Sequence, residues 1–195
     1  MKTLLALLFL STGVFAQCKF NESYDKMSGN YVLQTHSNIV EGSMLSMAGS
    51  ELYVSKVYSK ADTNYFLHVS KIMKYQAIDG GLAPRKIKKG STLIALVDGD
   101  QRIELVALQD VAEAKESTKV GTLTNMMEYR HTFKILYHIP KNLLQVLTQK
   151  QLQALRINME DELGNPTIQD IEIREKSKVA LSSQLSCLIP RFYSK

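Results

Sequence analysis

Tryptophan is absent from the 195 residues, cysteine occurs twice, proline four times and glycine ten times. So few prolines and glycines, without regular spacing, exclude collagen-like and low-complexity chains. No heptad or short repeat runs along the chain, which excludes coiled coils. HExxH, GxSxG, the P-loop, GxGxxG and CxxC are all missing, so no chemistry can be read from motif spacing alone. Neither charge sign dominates: 24 Lys and Arg stand against 19 Asp and Glu, a net +5. What is present is ordinary globular material, 45% hydrophobic, enough for the core of one domain.

The N-terminus reads as an address. Lys2 precedes an apolar run from Leu4 to Leu10, followed by Ser11, Thr12 and Gly13. That run is far short of the roughly 20 residues a membrane span requires. Val14 and Ala16 place small residues at minus three and minus one, so residues 1–16 are predicted to be a secretory signal peptide, cleaved before Gln17. One mature domain, 17–195, in a secreted or periplasmic location is expected, and losing Lys2 takes its charge from +5 to +4. Lipidation of Cys18 is the alternative, opposed by the long polar Gln17 immediately before it. Phe15-Ala16-Gln17 resembles the end of signal peptides common in secreted proteins of the Bacteroidota, and the run Leu155 to Glu160, LRINME, is similar to parts of uncharacterised secreted proteins of that phylum. The resemblance implies neither an activity nor a cofactor.

Export gives the two cysteines a meaning. In an oxidising compartment Cys18 and Cys187 are candidates for one disulfide joining the termini. Closing so long a loop contributes about 5 kcal/mol at most in the chain-entropy model. Two unpaired thiols are the alternative.

Alternation of apolar and polar residues predicts strands at Tyr31–Thr35, Leu52–Tyr58 and Tyr65–Met73, with Tyr65, Leu67 and Val69 on one face. Residues 38–50 read as a loop or broken strand. Ser91–Val97 and Arg102–Leu108 flank Asp98-Gly99-Asp100, a hairpin signal. Glu128–Ile139 is the longest alternating run, with Tyr129, His131, Phe133, Ile135, Tyr137 and Ile139 on one side. Residues 109–127 lose the period and read as a mobile excursion with a short helix near Val111–Lys115. Thr148 and Gln151 fit a capping box for a helix through Leu152 and Ala154. Leu155–Glu160 and Thr167–Ile173 form a second hairpin around Gly164. Leu181, Leu185 and Leu188 mark a helix over about 175–189 that Pro190 ends. The fold class expected is mainly β: an antiparallel β-sandwich or partly open barrel with a C-terminal α-helix.

Chemistry is harder to find. His131 and His138, seven apart in one strand, point to opposite faces. His131 reads as a core histidine bonded to a backbone carbonyl, while His36, His68 and His138 read as surface or sheet residues. Glu160, Asp161 and Glu162 lack the spacing of a calcium loop and read as a solvated turn. Tyr31, Tyr53, Tyr65, Tyr129 and Tyr137 could stack on sugars, but cross-strand packing explains them as well. Arg85, Lys86, Lys88 and Lys89 cluster after Pro84, and Arg130 and Lys134 share the outer face of the long strand. These six are the candidate binding residues, suited to an anionic glycan, a lipid headgroup or a protein partner. Keeping a sheet edge soluble is the plainer role for such lysines. Nucleic acid is disfavoured by the export signal, and no metal or cofactor is implied. The expectation is a non-catalytic binding or structural module. The alternatives are a hydrolase built from scattered His and carboxylates, or an electrostatic binder of anionic surfaces.

Overall fold

A computed structural model describes residues 19–43, 48–59, 62–77, 82–120 and 126–190. The expected signal peptide, its cleavage point and Cys18 lie outside the described residues. Thirteen strands and two helices follow in chain order: β1 Phe20–Asp25, β2 Asn30–Thr35, β3 Asn38–Ser43, β4 Ala48–Tyr58, β5 Thr63–Ala77, β6 Lys86–Ile87, β7 Thr92–Val97, β8 Gln101–Ala107, β9 Val111–Ala112, β10 Ala114–Lys119, β11 Met127–Ile139, α1 Lys141–Gln149, β12 Leu152–Glu160, β13 Pro166–Glu172 and α2 Ala180–Leu188. The fold is thus mainly antiparallel β with a C-terminal helix.

All strands belong to one sheet whose backbone order is β1-β2-β4-β5-β11-β8-β7-β12, with β13 and β6 against β12 and β9 against β6. Two strands share one edge of β4, β2 along Tyr58–Ser55 and β3 along Leu52–Ala48. β10 and β8 share one edge of β11 in the same way. Beyond β13 the Arg174 N–H donates to the Val40 carbonyl of β3 at 2.9 Å, so the two margins of the sheet meet there.

Alternation sets which face is buried. On β11 Tyr129, His131, Phe133, Ile135, Tyr137 and Ile139 are all buried, as their period requires. Phe133, Ile135, Tyr137 and Ile139 meet Leu67 and Val69 of β5, Leu93 and Ala95 of β7 and Leu155 and Ile157 of β12 in one core. Each such side chain contributes roughly 1.5–3 kcal/mol of burial. The Asp-Gly hairpin forms where expected, with Gly99 at φ 76° and Asp100 at φ 56°. That left-handed pair is why the loop carries glycine.

Three expectations change. Residues 109–120 are not a helix-bearing excursion: β9 pairs with β6, and β10 pairs along Met127–Thr132 of β11. β10 is exposed at every position, so backbone pairing holds it and no buried face writes a period into its sequence. The helix expected through Leu152 and Ala154 lies earlier, at α1. It opens at Pro140, whose φ is preset, and turns Leu143, Leu144, Val146 and Leu147 to the core. Thr148 bonds backward to the Gln145 carbonyl and does not cap a following helix. The C-terminal helix is broken in two, a 3-10 turn Glu175–Ser177 and then α2, because the Lys178 carbonyl is taken by the Leu152 N–H at 2.9 Å.

α2 packs over the end of the core with Leu181, Leu185 and Leu188 fully buried. Its last carbonyls are capped by a lysine: the Lys56 amine donates to Ile189 at 2.8 Å and lies over the rings of Tyr58 and Tyr65. A cation at a helix C-terminus is favourable, although burial lowers the ammonium's pKa.

Candidate functional site

Among the described residues, one gathering of polar side chains lies inside the sheet around His131 and another on its outer face around His68. The inner gathering is built on His131, which alternation turns inward, and on Glu113, which the short step between β9 and β10 places beside it. His131 Nδ1 lies 3.0 Å from Glu113 Oε2, and its Nε2 lies 3.0 Å from the Tyr75 hydroxyl. Arg85 closes the other side. Its Nε and Nη2 donate to Glu113 Oε1 at 3.1 and 2.8 Å, and its backbone N–H donates to Oε2 at 3.0 Å. The same Nη2 reaches Gln169 Oε1 at 3.1 Å. Glu113 is fully buried and Tyr75 also accepts the Leu82 N–H. Burial alone pushes the Glu113 carboxyl up, but the bonds from Arg85 and His131 and the guanidinium charge outweigh it and hold the pKa below its ordinary value. His131 is therefore a core histidine as expected, but its partners are a carboxylate and a phenol, not a backbone carbonyl. A buried carboxylate needs donors on both oxygens, and Arg85 and His131 together supply them.

This cluster is a lock. Both oxygens of Glu113 are filled, and the bonds tie the segment from Leu82 to Ile87 and the β9–β10 step to β5 and β11. A similar pairing buries Lys71, whose amine meets Glu41 at 2.6 Å while Ser50 donates to the same carboxylate.

The outer gathering differs. β4, β5 and β11 set three residues side by side in each cross-strand row: Tyr53, His68 and Leu136 in one, Glu51, Ser70 and Lys134 in the next. Tyr53, His68, Ser70, Lys134 and Leu136, with Gln109 arriving from beyond β8, line a recess of about 170 Å³. Tyr53 and His68 stack with centroids 4.1 Å apart and planes 18° from parallel. His68 Nε2 meets the Ser55 hydroxyl at 2.8 Å. Burial lowers the imidazole's pKa to about 4, so the ring is neutral at pH 7. Burial and, secondarily, the Glu51 charge raise the Tyr53 phenol. Among the described residues nothing bonds to the Tyr53 hydroxyl, His68 Nδ1, the Ser70 hydroxyl, the Gln109 amide or the Lys134 amine. None of these atoms is sealed from solvent.

Ser55 and His68 form a hydroxyl–imidazole pair, yet the pair is poorly suited to nucleophilic catalysis. Ser55 is buried and its hydroxyl is engaged by His68 Nε2, so its oxygen is not presented to a substrate. A base with a pKa near 4 withdraws a serine proton weakly. Among the described residues no three His, Cys, Asp or Glu side chains converge as metal ligands.

The six sequence-derived candidates are dispersed. Arg85 is turned into the lock. Lys86 is exposed on β6, Lys88 pairs with Glu160 at 2.7 Å, and the Lys89 backbone N–H donates to Asp110. Arg130 faces Glu116 at 3.7 Å. Lys134 alone joins the recess. Cys187 lies half-buried on α2, and no described cysteine is free; Cys18 is outside the described residues. Asp161 caps its own turn by accepting the Leu163 and Asn165 N–H groups. Glu113, Tyr53, His68, Ser70 and Gln109 carry no motif. With Tyr65, Leu67 and Val69 on the inner face of β5, period two does put His68 and Ser70 outside, but their meeting with Tyr53 and Lys134 depends on register. No protein-family model, no curated protein and no solved structure matches the chain, so no relative supplies a ligand or an activity.

Proposed function

We propose that the protein is an exported, non-catalytic binding module, secreted or periplasmic, that holds its ligand on the outer face of β4, β5 and β11 around His68. A leader over residues 1–16, a mature domain from 17 to 195 and a Cys18–Cys187 bridge belong to the same reading. One observation carries it: polar groups converge without partners in a ring-walled recess, while the buried charges of the lock bond to one another. A few unengaged polar groups beside aromatic walls are the usual furnishing of a ligand site. The weak basicity of His68 and the burial of Ser55 favour binding over hydrolysis.

Amide chemical shifts of the labelled full-length protein, recorded against a library of small polar fragments, test this reading. Responses concentrated at Tyr53, His68, Ser70, Gln109 and Lys134 are expected. Responses scattered over the surface, or absent from this face, would overturn it.

A further inference from the structure

We infer that the recess receives one hydroxylated ring bearing a single carboxylate, an acidic sugar residue of a glycan, with the carboxylate at Lys134 and the hydroxyls toward His68 and Tyr53. The inference rests on the binding role proposed above and names the ligand class.

Size comes first. Sites that enclose a drug-sized ligand run to about 300–1,000 Å³, and this recess has about 170 Å³. It can hold one ring, and the rest of a chain must lie along the open sheet. Charge comes second. Lys134 is the one cation lining the recess among the described residues. A phosphate or sulfate is better served by an arginine fork or several N–H donors, and a single ammonium matches a single carboxylate.

The far side of the row carries the opposite sign. Glu51 stands two strands from Lys134 with Ser70 between them, about 10 Å away at normal strand spacing. An anionic ligand is therefore oriented: its carboxylate lies at the β11 side, and the β4 side must offer donors that a carboxylate can accept. Hydroxyls do this. Neutral groups come third. His68 Nδ1, the Tyr53 and Ser70 hydroxyls and the Gln109 amide together give and accept several hydrogen bonds. A ring with several hydroxyls can meet them, whereas glycine brings only its two charged ends. The Tyr53–His68 stack supplies the apolar wall against which a sugar's C–H face rests.

The test titrates the labelled full-length protein with D-glucuronate, D-glucose, glycine and inorganic phosphate, following the amides of Tyr53, His68, Ser70 and Lys134. Glucuronate is expected to shift them saturably and to bind at least tenfold more tightly than glucose. Lys134→Gln, at an exposed position, should bring glucuronate down to the glucose level, and Gln109→Ala should weaken both sugars several-fold. Equal binding of glucose and glucuronate, or preference for phosphate or glycine, would overturn the acidic-sugar assignment. If library fragments still reached the recess, the binding role would stand without it. Silence of this face toward every fragment and every sugar would remove both.

Discussion

The lock and the recess are made of similar residues and behave oppositely. Each contains a histidine beside a tyrosine and one long cation. His131 spends both nitrogens on Glu113 and Tyr75, and Arg85 divides its donors between Glu113 and Gln169. His68 uses one nitrogen, on Ser55, and Lys134 meets no carboxylate among the described residues. The difference lies in the side of the sheet. Inside, an unpaired polar atom costs about 1–3 kcal/mol, so partners are strongly favoured. Outside, water satisfies the same atoms until a ligand replaces it. The histidine type alone therefore says nothing about function; what its nitrogens meet does.

The contrast breaks most visibly at Glu113. Glu113→Ala leaves the half-buried Arg85 and the buried His131 without their carboxylate and is expected to cost about 3 kcal/mol, read from chemical denaturation. A loss under about 1 kcal/mol would mean that the lock contributes little to the fold.

Acid should act next, through His68. Its pKa is lowered to about 4 in the fold, against roughly 6.5 when unfolded. The unfolded chain therefore takes up the proton first. The stability is fully present above about pH 6.5, falls as pH drops toward about 4, and stops changing below it, a loss of about 3 kcal/mol. His68→Gln should flatten that part of the stability–pH curve. Glu113, whose pKa is depressed, adds a further loss at lower pH, as its carboxyl protonates.

Tyr137 sharpens the inside rule by violating it. Its ring is fully buried and its hydroxyl has no partner among the described residues, and burial raises its pKa. Tyr137→Phe removes an uncompensated group and should stabilise the protein by about 1 kcal/mol, seen as a higher Tm. Destabilisation would show that the hydroxyl is in fact satisfied. The smallest effect is expected at Lys86, Lys88 and Lys89. Changing all three to Gln should move stability by no more than about 0.5 kcal/mol and leave sugar binding unchanged. Loss of binding there would move the site to the basic loop.

Much of the fold is legible in the sequence because burial writes a period. The twelve-residue alternation of Glu128–Ile139, the Asp-Gly hairpin and the leucine spacing of α2 each follow from one buried face. β10 is illegible for the opposite reason, since an exposed edge strand held by backbone bonds has no face to encode. The break before α2 depends on the Leu152 N–H, a partner far away in sequence. The recess needs three strands in register, so Tyr53 and Lys134 look like separate sheet residues until β4, β5 and β11 are aligned. Arg85 misleads for a related reason: a charge beside Pro84 reads as surface unless the burial of Glu113 is known.

Thermal unfolding with and without saturating D-glucuronate, on the native protein, Glu113→Gln and Lys134→Gln, puts both sides of the sheet in one measurement. Glu113→Gln should lower the basal Tm and keep the ligand-induced rise, while Lys134→Gln should keep the basal Tm and lose that rise. The reverse assignment, or a ligand-induced rise that survives Lys134→Gln, would contradict the division between a lock that serves the fold and a recess that serves a ligand.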